Sequence, residues 1–229
     1  MATGALTAVT PVLAAAGLNL RGCLRVERYD ALVPPAWRAQ SLLPPARSAL
    51  VLAAGGRGFF EAFRASPEAR FFSDPLDAYT RRQAEAVADR LAGRALFAFE
   101  RMDGSYADFV ALGRAGGLGA PSRLGLLLHP EYGPWMSIRA VVLTRCELAE
   151  THPLSSFDPC RGCAAPCARA CRGQAFAGEG FDVARCAATR RREAGCRRRC
   201  DARRACIIGT GNRYAEAAEA HHMGELPGP

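Results

Sequence analysis

The sequence predicts an α/β domain over residues 1–150, a small cysteine-rich module over 151–213 and a short tail over 214–229. Three observations carry this reading. Apolar strand-like runs alternate with helical stretches as far as Thr144, the pattern of an α/β layer. After "THPLSSFDP" the composition shifts abruptly to Cys, Arg, Ala and Gly. Eight of the ten cysteines fall between Cys160 and Cys206.

The elements follow in order. A helix over Thr7–Ala16 leads into "RGCLRVERY", which reads as a strand. "VPPAWRAQSLLPPARSALVLAAGG" predicts turn, short helix, turn and a buried strand at Ser48–Ala54. "DPLDAYTRRQAEAVADRLAGR" is the clearest helix, with Asp74 as cap, Pro75 in its first turn and Gly93 at its end. Leu76, Tyr79, Ala84, Val87 and Leu91 mark its apolar face. "ALFAFERM" reads as a strand, "YADFVALGRAGG" as a short helix, and "LGLLLHP" and "SIRAVVLT" as two more strands.

With 229 residues, 49% of them hydrophobic, the chain can bury a substantial core. No stretch approaches the roughly 18 unbroken apolar residues of a membrane span, so no membrane partner is expected. The opening "MATGALTAVTPVLAAAGLNL" lacks a basic n-region and carries Pro11 in its apolar part, so it reads as a helix and the chain as cytoplasmic. Every basic residue is Arg. Residues 160–213 hold thirteen of them against four acids, so most of the net +8 lies beside the cysteines.

Cys160, Cys163, Cys167 and Cys171 form C-x2-C-x3-C-x3-C; Cys186, Cys196, Cys200 and Cys206 follow. Disulfides are disfavoured by the cytoplasmic reading. Zinc takes four ligands per ion, usually as two separated knuckles. An iron–sulfur cubane wants three thiols crowded on one loop and a distant fourth, and in two-cluster ferredoxins the fourth Cys of each run ligates the other cluster. On that crossed pattern Cys160, Cys163, Cys167 and Cys206 hold one [4Fe–4S] cluster, and Cys171, Cys186, Cys196 and Cys200 a second. Pro166 is an extra residue against the bacterial run, and Arg172 and Ile207 stand where Pro follows the last ligand. The arginines offset the negative charge of such clusters. No aromatic residue is interleaved among them, so nucleic acid is not expected as a partner. A zinc-stapled RNA-binding protein is the alternative.

"MDGSYADFVALGRAGGLGAPSRLGLLLHPEYGPWMSIRAVVLT", followed by the cysteine run, resembles the corrinoid-dependent epoxyqueuosine reductase family. "HPEYGPWMSIRAVVL" is also similar to vitamin B12 processing proteins of the cobalamin C type, and "ACIIGTGNRYAEAAEAHHM" to the ends of short bacterial proteins designated only as ferredoxins. The resemblance implies a flavin-reductase-like α/β core, a ferredoxin-like module, and a cobalamin fed with electrons by the clusters. It implies Asp103 as proton donor, and Gly117, Gly119, Arg123, His129, Tyr132 and Trp135 around the corrinoid. A small-molecule substrate and an electron-donor protein of flavodoxin or reductase type are the expected partners. Ser122 and Arg123 replace the family's second Gly and basic residue, His129 replaces Asn, and the family's C-terminal repeats are missing. Oxidoreductase chemistry on another substrate, or plain electron transfer, is therefore expected.

The residues also admit plainer roles. Asp103 and Gly104 suit a turn, His129 a cap and Trp135 a core position. His152, His221 and His222 are expected in loop or tail, and Cys23 and Cys146 as small buried hydrophobes. "AAGGRGFF" lacks the full glycine fingerprint of a dinucleotide site.

Overall fold

The computed structural model describes residues 2–71, 73–176 and 180–224. Six strands are present among them: β1 (Leu20–Arg25), β2 (Ser48–Gly55), β3 (Arg94–Phe97), β4 (Ala120–Pro121), β5 (Leu127–Leu128) and β6 (Met136–Thr144). The helices of the first half are α1 (Ala2–Ala16), α2 (Val26–Asp30), α3 (Ala39–Leu42), α4 (Gly58–Arg64), α5 (Glu68–Phe71), α6 (Pro75–Arg90) and α7 (Phe109–Ala115). Those of the second are α8 (Pro166–Ala170), α9 (Val183–Arg192), α10 (Ala194–Arg198), α11 (Asp201–Arg204) and α12 (Glu216–Gly224). The chain divides into two compact units. Unit 1 comprises Met1–Leu118 and Ser137–Leu154; unit 2 comprises Gly119–Met136 and Ser155–Pro229.

Unit 1 is a mixed α/β layer built on a four-stranded sheet of order β1-β2-β6-β3. β1 pairs antiparallel with β2, setting Cys23 opposite Leu50. β3 pairs antiparallel with β6, setting Leu96 opposite Val141. Every residue of "SALVLAAG" is buried, the signature of a strand covered on both faces. The core gathers Leu13, Leu50, Leu52, Phe59, Phe63, Val87, Phe97 and Val142. α6 presents Leu76, Tyr79, Ala84, Val87 and Leu91 to it, all buried as the helical period requires.

Several boundaries differ from expectation. Asp74 sits at the N-cap of α6, but its carboxylate makes no capping bond. At the other end Ala92, not Gly93, takes the left-handed conformation, φ 44°. Gly93 is needed for space instead, because a Cβ there would strike the Leu143 carbonyl on β6. The predicted first strand stops at Arg25, where the Val26 N–H bonds the Arg47 carbonyl and the chain turns into α2. "ALFAFERM" pairs only through Phe97, after which the Glu100 N–H bonds back to the Phe97 carbonyl. "LGLLLHP" contributes only Leu127–Leu128, paired with Ala120–Pro121 in a separate two-stranded sheet. Pro121 has no N–H to offer a longer ladder.

Unit 2 carries that small hairpin and the short helices α8 to α12. One of its core clusters buries Leu124, Leu128, Cys167 and Ala202, with Phe157, Phe176, Ile208, Cys171, Cys200 and Cys206 packed around them; Trp135, Tyr214 and Ala218 are buried as well. The expected tail over 214–229 contributes α12, whose Ala218 and Glu219 are buried; residues 225–229 lie outside the described residues. Among the described residues no helix is long and apolar enough to cross a membrane.

Candidate functional site

In unit 2 short helices and turns position the thiols. Pro166 opens α8 after Ala165 in the left-handed region, which places Cys167 inside the helix and Cys171 at its end. Asp182 caps α9 by accepting from the Arg185 N–H at 2.8 Å, fixing Cys186 one turn in. Cys196 lies on α10, and Cys200 is the N-cap of α11. Backbone N–H groups point at several sulfurs. Arg123 reaches Cys160 Sγ at 3.5 Å, Ala175 reaches Cys171 Sγ at 3.4 Å and Arg203 reaches Cys200 Sγ at 3.4 Å.

The cysteines sort by neighbourhood into two sets. Cys160, Cys163, Cys167 and Cys206 line one pocket walled by Leu124, Leu128, Pro166 and Ile208. Cys206 feels the charges of the other three. Cys186 in turn feels Cys171 and Cys196, and Cys200 feels Cys186 and Cys171. Burial pushes up the thiols of Cys167, Cys186, Cys196, Cys200 and Cys206, and neighbouring thiols raise them further. Arg190, Arg172 and Arg203 oppose that rise at Cys186, Cys196 and Cys200 respectively. Among the described residues no three His, Cys, Asp or Glu side chains close around a single ion. All ten cysteines are free thiols.

The set of Cys160, Cys163, Cys167 and Cys206 is held together from a distance in sequence. Gly133, with φ 55°, lies against the backbone of Ile208, and Gly209, with φ 69°, lies against the backbone of Tyr132. A Cβ on either glycine would collide with that backbone. Asn212 Nδ2 adds a bond to the Glu131 carbonyl at 3.0 Å. The "HPEYG" turn is thus clamped to the segment that follows Cys206.

The residues assigned to a corrinoid by resemblance have internal structural duties. His129 Nδ1 accepts from the Glu131 N–H at 3.1 Å and the Tyr132 N–H at 3.3 Å, capping the turn. Burial holds its pKa below the usual imidazole value, opposed by Glu131. The Tyr132 ring lies tilted beside it, ring centroids 5.1 Å apart. Trp135 is fully buried against Tyr214, at 5.5 Å. Gly117, with φ 75°, makes room for the His152 carbonyl in unit 1, and Gly119 for the Leu128 carbonyl in unit 2. Arg123 is exposed and contributes its backbone N–H, as above. Asp103, φ 48°, and Gly104, φ 74°, form the exposed two-residue turn closed by Met102 and Ser105 in unit 1. The buried Trp135 Nε1 has no hydrogen-bond partner among the described residues.

Sequence reasoning missed three residues that organise the sites. Arg203 covers the rings of both Trp135 and Tyr214, at 4.7 Å each, and donates through Nε to the Pro134 carbonyl at 3.0 Å. The buried Glu219 carboxylate accepts from the Cys200 N–H at 3.1 Å and from Arg204 Nη1 at 2.8 Å. In unit 1 Thr151 Oγ1 accepts from the Cys23 N–H at 2.9 Å and donates to the Gly116 carbonyl at 2.7 Å. None of these contacts has a local signal in the sequence, since each partner lies far along the chain.

No family model matches the sequence, and no curated protein matches it. Solved structures do. One of epoxyqueuosine reductase with a tRNA-Tyr epoxyqueuosine-modified tRNA stem loop superposes with TM-score 0.63 at 15% identity, covering 96% of this chain and 69% of that one. A B12-trafficking protein of C. elegans, CblC, a homologue of human MMACHC, gives TM-score 0.56 at 14% identity, covering 97% and 95%. The catabolic reductive dehalogenase NpRdhA, in complex with 3-bromo-4-hydroxybenzoic acid, gives 0.53 at 14%, covering 97% of this chain and 38% of its own length. The chain shares the fold of these proteins.

Proposed function

We propose that this chain is a cytoplasmic iron–sulfur redox protein that binds two [4Fe–4S] clusters and passes electrons to a corrinoid or a small substrate. The observation that carries the reading is the sorting of eight thiols into two sets of four. Cys160, Cys163, Cys167 and Cys206 would hold one cluster; Cys171, Cys186, Cys196 and Cys200 would hold the other. The memberships follow the crossed ferredoxin rule, in which the last Cys of each run serves the other cluster. The donor set fits the group: soft thiolates, backbone N–H groups aimed at sulfur, and arginines beside the second set. A cubane separates its thiolates by the width of four irons, so ligands too far apart for one ion suit it. When bound, such clusters store and relay single electrons.

A ferredoxin-like module, a flavin-reductase-like domain and a corrinoid partner rest on the shared fold rather than on unoccupied side chains. Asp103 is the proposed proton donor of that chemistry, and its exposed turn leaves it free to meet a substrate. The expected electron source is a flavodoxin- or reductase-type protein.

Metal analysis with a visible spectrum on anaerobically purified protein tests the core reading. Brown protein with about eight irons and a broad band that bleaches on reduction is expected. Colourless, zinc-loaded protein would overturn it. A spectral change on adding cobalamin separates the corrinoid reading from plain electron carriage.

A second reading has one specific observation behind it. The epoxyqueuosine reductase structure holds a tRNA stem loop, and thirteen arginines surround the cysteines here. RNA as a substrate therefore regains standing against the expectation drawn from the missing aromatics. Binding of a stem loop that weakens steeply with salt would favour it.

A further inference from the structure

In unit 2, α10, α11, α12 and the turn after Cys171 border a half-open cleft of about 540 Å3 lined by Arg172, Arg198, Arg199 and Arg204, with Glu216 and Glu219. Three of these arginines are held in place. Asp201 takes the Nε of Arg172 at 2.6 Å and the Nε of Arg199 at 2.7 Å. Both pairs use Nε, so Asp201 anchors the root of each fork and leaves terminal Nη donors for another acceptor. Glu219 holds Arg204 at 2.8 Å. Arg198 makes no ion pair among the described residues and is exposed at the same cleft. Gly195 sits under this array: a Cβ there would collide with the Arg172 guanidinium.

We infer that this cleft is a binding site for a phosphate-type oxyanion carried by a small molecule. Guanidinium forks match the oxygen geometry of phosphate, and forks locked beforehand by carboxylates lose little freedom on binding. The lining holds four arginines against two glutamates, and Asp201 beside it leaves a surplus of one positive charge, which favours an anion. The volume exceeds what free phosphate fills and lies in the range of ordinary ligand pockets, so a phosphate ester or diphosphate is the fitting class. None of its lining residues is a cysteine, but Glu219 also accepts from the Cys200 N–H, so the site adjoins the second thiol set and iron content is measured in every variant alongside binding.

The test is calorimetric titration of the full, anaerobically purified chain with inorganic phosphate, pyrophosphate and a short single-stranded RNA, in chloride buffer. Saturable binding of pyrophosphate, tighter than phosphate, at one site per chain is expected. Arg198→Gln should weaken it about tenfold, the loss of one charge-assisted contact. Gly195→Ala, which displaces Arg172, should do the same. Arg90→Gln on α6 of unit 1 should leave it unchanged. Because Arg198 supports no other group, its replacement leaves the fold intact, checked by an unchanged circular dichroism spectrum. Absence of saturable phosphate or pyrophosphate binding, an equal loss in Arg90→Gln, or RNA binding alone would each overturn the inference. Iron content is read separately, so failure of the cluster reading and failure of this one are distinguished.

Discussion

Unit 1 and unit 2 are held together by different physics. Unit 1 buries a continuous set of Leu, Val and Phe around a sheet whose central strand is wholly covered. In unit 2 the cluster of Leu124, Leu128, Cys167 and Ala202 is small, and three of the six side chains packed around it are cysteines; Trp135, Tyr214 and Ala218 are buried elsewhere in the unit. Its other ties are ion pairs, such as Arg172 and Arg199 on Asp201, and hydrogen bonds to sulfur. Burial supplies a few kcal/mol per large apolar side chain, whereas exposed ion pairs supply under about 1 kcal/mol each. Unit 1 thus carries its stability in its apolar core, whereas on the proposed reading unit 2 completes its packing with clusters.

That contrast can be broken most forcefully by removing metal. Chelation, or Cys167→Ser, should abolish hydrogen-exchange protection across α8 to α12 while protection on β2 and β6 persists. Equal loss in both units, or in neither, would dissolve the distinction. Next in size, Leu52→Ala in unit 1 should cost about 2–5 kcal/mol through the cavity it opens, read by denaturant unfolding. Glu219→Ala in unit 2 should cost about 2 kcal/mol, since it orphans the Cys200 N–H and frees Arg204. Its effect should include a shift in cluster spectrum that Leu52→Ala does not produce.

The smallest effect is one of pH in unit 1. The Arg82 guanidinium holds the Glu68 carboxyl down at about 2. Its folded value lies below the ordinary value of roughly 4.3, so the pair stabilises fully above that value and is lost as pH falls toward about 2. Arg82 is half exposed, so the loss is on the order of 1 kcal/mol. Arg82→Gln should flatten the acid limb of a thermal melt in that window.

Much of unit 1 was legible because its signals are periodic. The buried run at β2 and the face of α6 each announce an element by spacing alone. The cysteine spacing gave an expectation of two sets of four, which stays part of the proposal. Less was legible where the partner lies far along the chain. Nothing near "LGLLLHP" says that its leucines pack with Cys167 and Ala202. Nothing around Arg203 says that it covers Trp135. The corrinoid residues were read from resemblance; in the structure His129 caps its turn and Trp135 packs in the core.

The pairing of Gly133 with Gly209 fixes more than a bend. Cys206 is separated from its three partners by some forty residues, so its arrival beside them is a matter of docking and not of reach. The docking depends on two bare backbones meeting where neither tolerates a methyl group. A single added carbon at residue 133 would therefore dislodge a sulfur seventy-three positions downstream, making an inconspicuous turn the gatekeeper of that thiol's place.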